Sequence, residues 1–431
     1  MKQYALIAVL SLPAVLWAAP PVNMATEIDS SAYAEKLHGF WLGQSIGNWT
    51  GLVTEMDRVA PPFYTDEDWG SLDQPAIWGA FVSHSSRINF YLPGLDRVWG
   101  ADDDTDIEYM YWQLIGASSH PKLTPTQIRA GWLKHIYSNE DAPLSATEFR
   151  RENYLWVSNE RAYYLMKDEG LLPPATSDPE QNPDHSMIDA QLTTESFGLM
   201  APGRPDIALE LAATPIGVTA SGEAAAIARF YVVMHAAAIS IDDEGDRAQQ
   251  LRDIAALAAE QLPASGYARD MYNFVLEAYR TNPDKTDWER TRDAVYVRYQ
   301  VNGAGGYNYQ RPFDAGINFA ASLISLFYGE GDFKRTLQIA TLAGWDSDNP
   351  AATWGGLLGF TLGRRGLEQT FSHSFPETYW IHRTRRGFID YTPGLPGEDS
   401  FSQMALRGVD VVNKVQRVYD TAPMGVVDGS N

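Results

Sequence analysis

Apolar residues recur at helical spacing along most of the chain. "GEAAAIARFYVVMHAAAISI", "DRAQQLRDIAALAAEQL", "ARDMYNFVLEAY" and "DAGINFAASLISLFYG" each place apolar side chains three and four residues apart, which gathers them on one helix face. Helix-start signals agree with this. "TPTQIRAGWLKHIYS" offers Thr124 as N-cap, Pro125 at the first helical position and Gln127 at the third, and "SATEFRRENYLWV" repeats the capping box with Ser145 and Glu148. Convincing strand-type alternation is scarce, so the pattern predicts an all-α fold. Residues 57–97 and 171–186, rich in Pro, Asp, Ser and aromatics, break the pattern and read as loops inserted between helices, and "APMGVVDGSN" reads as a frayed tail. No long repeat or Gly/Ser linker divides the chain. Residues 20–431 are therefore expected to form one helical domain carrying an aromatic-rich insert near 57–97.

Glycines add a second periodicity. Gly39, Gly43, Gly47 and Gly51 recur every fourth residue, as do Gly355, Gly359 and Gly363. Residues four apart share a helix face, and glycine costs helix stability, so each stripe needs a packing reason, namely another backbone approaching closely. If the two stripes pack antiparallel, the C-terminal end of the first helix meets the N-terminal end of the second. Glu55 then sits beside Asp346 and Asp348.

Composition narrows the partners. The 431 residues are 45% hydrophobic, enough for a large core, and carry a net charge of −22, which repels phosphate backbones and anionic lipid heads. Nucleic acid and membranes are poor partners, and a small molecule remains. Residues 1–19, "MKQYALIAVLSLPAVLWAA", read as a secretory signal, so the chain is expected to be secreted or periplasmic, with no stable membrane insertion after cleavage. There is no cysteine, which removes disulfides, thiolate metal sites and thiol nucleophiles.

Two acidic segments stand where helices begin. Asp102, Asp103, Asp104 and Asp106 precede "IEYMYWQLIGA", and Asp346, Asp348 and Asn349 precede Pro350, which fits N1 with Asn349 as the natural cap. A cap needs one oxygen, and further adjacent carboxylates repel one another unless a cation intervenes. Capping and cation binding both remain open on these residues alone. An all-oxygen donor set suits Mg²⁺, Mn²⁺ or Ca²⁺ and disfavours zinc. The eight histidines form no ligand pair at helical spacing, and "GQSIG" around Ser45 sits within a helical pattern rather than the strand-turn-helix that a serine nucleophile elbow requires.

Three ordered blocks carry a resemblance. "GFWLGQSIGNWTGLVTE", "ADDDTD" and "AGWDSDNPAATWGGLLGFTLG" are similar to the glycine-striped opening helix, the Thr-Asp-Asp-Thr element and the Gly-Gly-Asp-Thr-Asp-Thr element of the ADP-ribosylglycohydrolases; "FGLMAPG" and "GGYNYQRPFDAGINFAASL" add weaker similarity. The resemblance implies an all-α orthogonal helical bundle with two Mg²⁺ ions in a cleft where a ribosyl bond is hydrolysed. It implies metal ligands at Asp102, Asp103, Asp104, Asp346, Asp348 and Asn349. Glu55 or Asp104 is expected to accept a proton from water, and Asn48, Trp345, Gly306 and Tyr307 to contact substrate. Departures are several: Asn48 replaces an aspartate, Asp102 and Asn349 replace threonines, Trp345 replaces a glycine, and a histidine near "GVTASGEAA" is lost. The added acid at Asp102 keeps Ca²⁺ and Mn²⁺ open beside Mg²⁺. The expected activity is a secreted, metal-dependent glycosyl hydrolase, with an oligosaccharide-directed glycosidase and a non-catalytic binding protein as alternatives.

Overall fold

Helix follows helix along the chain: α1 (Ser30–Gly51), α2 (Asp103–Ala117), α3 (Pro125–His135), α4 (Val157–Asp168), α5 (Asp189–Thr194), α6 (Phe197–Met200), α7 (Pro205–Thr219), α8 (Gly222–Ala237), α9 (Arg247–Ala258), α10 (Tyr267–Thr281), α11 (Glu289–Val295), α12 (Ala315–Gly329), α13 (Phe333–Leu342), α14 (Asp348–Phe371) and α15 (Phe401–Val418). The computed structural model describes residues 29–75, 86–142, 151–242, 244–381 and 398–419; the signal-like segment, the Ser145 capping box and the C-terminal tail lie outside them. Among the described residues, the strands β1 (Thr378–Trp380) and β2 (Glu398–Ser400) pair antiparallel with Thr378 opposite Ser400. The fold is all-α, as the periodicity predicts.

The two glycine stripes meet. A Cβ on Gly39 would overlap the carbonyl of Gly359, one on Gly43 that of Gly355, and one on Gly47 that of Ala351, while Gly51 abuts Asp348. Rising numbers on α1 face falling numbers on α14, so the helices pack antiparallel at backbone contact. Gly363, at φ +68° inside α14, adds a kink that a side chain would oppose.

Around this pair lie buried helices. Gly222–Ser240 is apolar enough in length and composition to cross a membrane, but 78% of it is buried in the protein, as expected of a helix that is hydrophobic all round. α3 starts on the expected capping box, with Thr124 Oγ1 accepting from Gln127 N at 3.2 Å. The insert after α1 is irregular and docks onto α13, where Arg335 holds Asp66 through two hydrogen bonds of 2.6 and 2.7 Å.

One helix start differs from expectation. α14 begins at Asp348 after Ser347, so Asn349 is its second residue, not its cap, and Pro350 its third. Ser347 is already helical because its hydroxyl donates to Gly51 O at 2.9 Å, tying the helix start to the end of α1.

Candidate active site

The antiparallel pair brings Glu55 to the start of α14. One carboxylate oxygen from each of Glu55, Asp346 and Asp348 lies within 4.8 Å of the others. Two residues with left-handed backbones hold this turn: Met56, at φ +58°, donates its N–H to Trp345 O at 2.9 Å, and Trp345, at φ +59°, donates to Arg58 O at 2.8 Å. Such conformations persist where tertiary bonds fix them. Thr54 Oγ1 adds a contact of 3.0 Å to Ser347 Oγ.

The second acidic segment closes on the same place. Asp102 caps α2, accepting from Thr105 N at 3.0 Å, and the amide of Asn48 donates both to Asp102 and, at 3.2 Å, to Asp348 Oδ2. Asp103 and Asp104 share one amide: Asn159 Nδ2 donates to Asp103 Oδ2 at 2.9 Å and to Asp104 Oδ1 at 2.8 Å. Trp156 N donates to Asp103 Oδ2 at 3.1 Å, and Asn159 N to Asp189 Oδ1 at 2.9 Å. Asp106 points elsewhere and accepts from Tyr379 Oη at 2.8 Å.

Collecting carboxylates away from water disfavours their charge. Burial, then the charge of Asp102, pushes Glu55 up to about 7, and burial raises Asp102. Asp346 and Asp348 stand well above the usual range through burial and then Glu55, and Asp104 through burial and then Asp103; Asp189 is pushed up to about 6, chiefly by burial. Asn48 Oδ1, Asp348 Oδ1, Asn349 Oδ1 and Asn159 Oδ1 are buried without hydrogen-bond partners. Buried oxygens lacking donors beside clustered acids fit a hard cation, which satisfies both needs at once.

A sequence profile of the ADP-ribosylglycohydrolase family matches residues 29–395, which contain every residue of this cluster. The chain belongs to the ADP-ribosylglycohydrolase family. Membership supports a glycohydrolase-type function on a small-molecule substrate. Among solved structures, one titled an ADP-ribosylglycohydrolase-related protein complex is similar at 15% identity and a TM-score of 0.46, over 89% of this chain and 99% of that one. No curated protein matches the chain.

In this ADP-ribosylglycohydrolase member three of the four residues expected to contact substrate, Asn48, Trp345 and Tyr307, are buried, and Gly306 is exposed. The Trp345 indole is fully buried, packed on Phe63 at 5.0 Å between ring centroids and donating to Gln300 Oε1 at 2.7 Å, so it supports the wall rather than lining the cleft. Tyr307 is buried with its hydroxyl donating to Asp314 Oδ2 at 3.1 Å, and Gly306 lies exposed in a left-handed turn. Tyr307 is linked to the cluster through the frame around Asp314, whose backbone carbonyl accepts from Asn318 while Asn318 Oδ1 accepts from Asp346 N at 3.1 Å. Asn48 is buried between carboxylates, which makes it a bridge inside the cluster. Ser45 is also buried, donating to Trp41 O at 2.9 Å within α1.

One helical turn below the cluster lies a second polar layer that periodicity did not reveal. Gln44 Nε2 donates to Glu108 Oε2 at 2.8 Å and Ser196 N to Glu108 Oε1 at 2.9 Å, while His235 Nε2 faces Glu195 Oε1 at 3.7 Å. His235 Nδ1 lies 2.9 Å from Tyr231 O, an acceptor, so Nδ1 carries the proton and Nε2 a lone pair. Burial raises Glu195 far above its usual range and lowers His235 to about 4, which keeps the proton on the carboxyl group. Asn159, Asp189 and this layer each look like single polar positions in sequence. Only their partners, tens of residues away, mark them.

Proposed function

We propose that this protein is an exported, metal-dependent hydrolase that cleaves a glycosidic bond where the ends of α1, α2 and α14 converge. The observation that carries the reading is the approach of Glu55, Asp346 and Asp348 to within 4.8 Å, beside buried oxygens that lack donors. Asp346, Asp348 and Asn349 from one side, with Asp102, Asp103 and Asp104 from the other, are the residues to hold Mg²⁺, or Mn²⁺ or Ca²⁺ in its stead. Bound there, such an ion supplies Lewis acidity to water and to sugar hydroxyls. Export is supported by the signal-like residues 1–19.

Glu55 is the residue best suited to move the proton. It is partly exposed beside Asp346 and Asp348, so its carboxylate can take a proton from attacking water and yield it again; in the metal-free protein burial, then the charge of Asp102, pushes it up to about 7, and a bound cation would lower that value. Asp104 suits this role less well, being buried with Oδ1 bonded to Asn159. As the bond from the anomeric carbon to the leaving oxygen breaks, positive character develops on the sugar and surrounding carboxylates stabilise it; water's oxygen then bonds the anomeric carbon, and the proton Glu55 takes from it is passed on to the leaving oxygen. Asn48 and Asn159 fix those carboxylates beforehand.

The test is turnover. ADP-ribosylated peptides, ADP-ribose derivatives and chromogenic glycosides are incubated with the wild type and Mg²⁺, then with chelator, and with Asp103→Ala and Asp348→Ala. Hydrolysis by the wild type that stops with chelator and falls at least about a hundredfold in each folded variant supports the reading. Full turnover by either variant, or binding without turnover by the wild type, contradicts it.

A further inference from the structure

We propose that Trp49 and Tyr91, stacked at the rim of the acidic cleft, form a platform for one sugar ring of a neutral oligosaccharide or glycoside. This names the substrate class of the site and so rests on the hydrolase reading. Trp49 follows Asn48 on α1, yet where Asn48 and Thr50 are buried its side chain faces outward and is 37% exposed. Its indole N–H donates to Gly100 O at 2.6 Å, two residues before Asp102. Trp49 is thereby fixed between the two chain segments that carry Asn48 and Asp102. Tyr91 comes from the aromatic insert and lies against Trp49 with centroids 5.2 Å apart and planes 26° apart, also 37% exposed. Its backbone N–H donates to Thr50 Oγ1 at 3.1 Å, and the buried Trp99 braces its ring from behind at 5.8 Å.

Two aromatic rings held rigid and wet forgo the burial that folding gives most such side chains. Leu92 beside them is 37% exposed as well. Trp49 has spent its only donor on the protein and one face on Tyr91, so its other face offers a ligand a flat apolar surface, with Tyr91 as its backing, which suits the C–H face of a pyranose ring. The whole chain carries −22, so an anionic ligand is repelled at long range where a neutral sugar is not. On the Asp103 side, Trp156 donates its backbone N–H to Asp103 Oδ2 and is itself 53% exposed, so a second exposed aromatic residue stands beside the acids.

The test uses the full chain with saturating Mg²⁺ and measures Kd by calorimetry, and KM where turnover occurs, for short oligosaccharides of glucose, mannose and N-acetylglucosamine and for ADP-ribose. The wild type binds at least one neutral oligosaccharide; Trp49→Ala and Tyr91→Ala weaken it about tenfold, the size of a lost aromatic contact, while Trp49→Phe retains most of the affinity. Leu406→Ser, on the exposed side of α15, serves as the unaffected control. Wild type that binds no neutral oligosaccharide, affinities equal in all variants, or Trp49-dependent binding of ADP-ribose alone overturns the proposal. Trp49-dependent sugar binding with no turnover of any substrate leaves the platform standing and removes the hydrolase.

Discussion

Asn48 and Asp348 lie 300 residues apart in the chain and meet through a hydrogen bond of 3.2 Å, Asn48 Nδ2 donating to Asp348 Oδ2. The same amide donates to Asp102, so one side chain ties together the ends of three helices. Asn48→Ala leaves two carboxylates without that donor. It should lower unfolding stability by about 1–3 kcal/mol in chelator, and by less with saturating Mg²⁺, because a cation then offsets their charge. Urea denaturation under both conditions checks this; an equal loss in both contradicts it.

Gly47→Ala tests the packing that builds the cluster. Its new Cβ would overlap the carbonyl of Ala351, and backbone gives way only if α1 and α14 separate. Overpacking of this kind costs about 1–3 kcal/mol, and the separation moves Glu55 away from Asp346 and Asp348. Both thermal stability and cation affinity should fall. A variant with wild-type cation affinity would mean that the helix contact does not set the site.

Glu108 predicts a pH dependence separate from the cleft. Burial pushes its carboxyl up to about 8 from the usual 4.5. Because the folded value is raised, its contribution to stability is complete below about 4.5 and is lost as pH rises through about 8. The slope from this one group is at most about 1.4 kcal/mol per pH unit. Glu108→Gln, neutral throughout, should flatten the decline in melting temperature between pH 5 and 8 measured in chelator. Gln44 can turn its amide over to present Oε1, which has no partner now, so the variant keeps its hydrogen bonds. An unchanged slope would assign the pH dependence to other groups.

Much of the fold was legible because its signals are local and periodic. Apolar spacing gave the helices, Thr124 and Gln127 gave a start, and glycines at every fourth position predicted a close backbone contact, which, being antiparallel, carries Glu55 to Asp346 and Asp348. What was misread depends on contacts between distant segments. Asn349 beside Pro350 looks like a cap, but Ser347, whose hydroxyl is bonded to Gly51 O, starts the helix earlier. Trp345 in place of a glycine looks like a substrate contact, and packing on Phe63 and a bond to Gln300 bury it. Asn159 carries no local signal at all. Its importance comes from receiving Asp103 and Asp104 from another helix.

The most direct measurement of the central claim is calorimetric titration of the chelator-stripped protein with Mg²⁺, Mn²⁺ and Ca²⁺, comparing wild type, Asp346→Ala and Asp348→Ala. The wild type should bind at least one of these ions, releasing protons as it does, with affinity that rises with pH through about 7 as Glu55 loses its proton. Each substitution should weaken binding at least about tenfold. Wild-type binding that survives both substitutions unchanged, or no binding of any of the three ions across that pH range, would contradict the assignment of Asp346 and Asp348 as cation ligands beside Glu55.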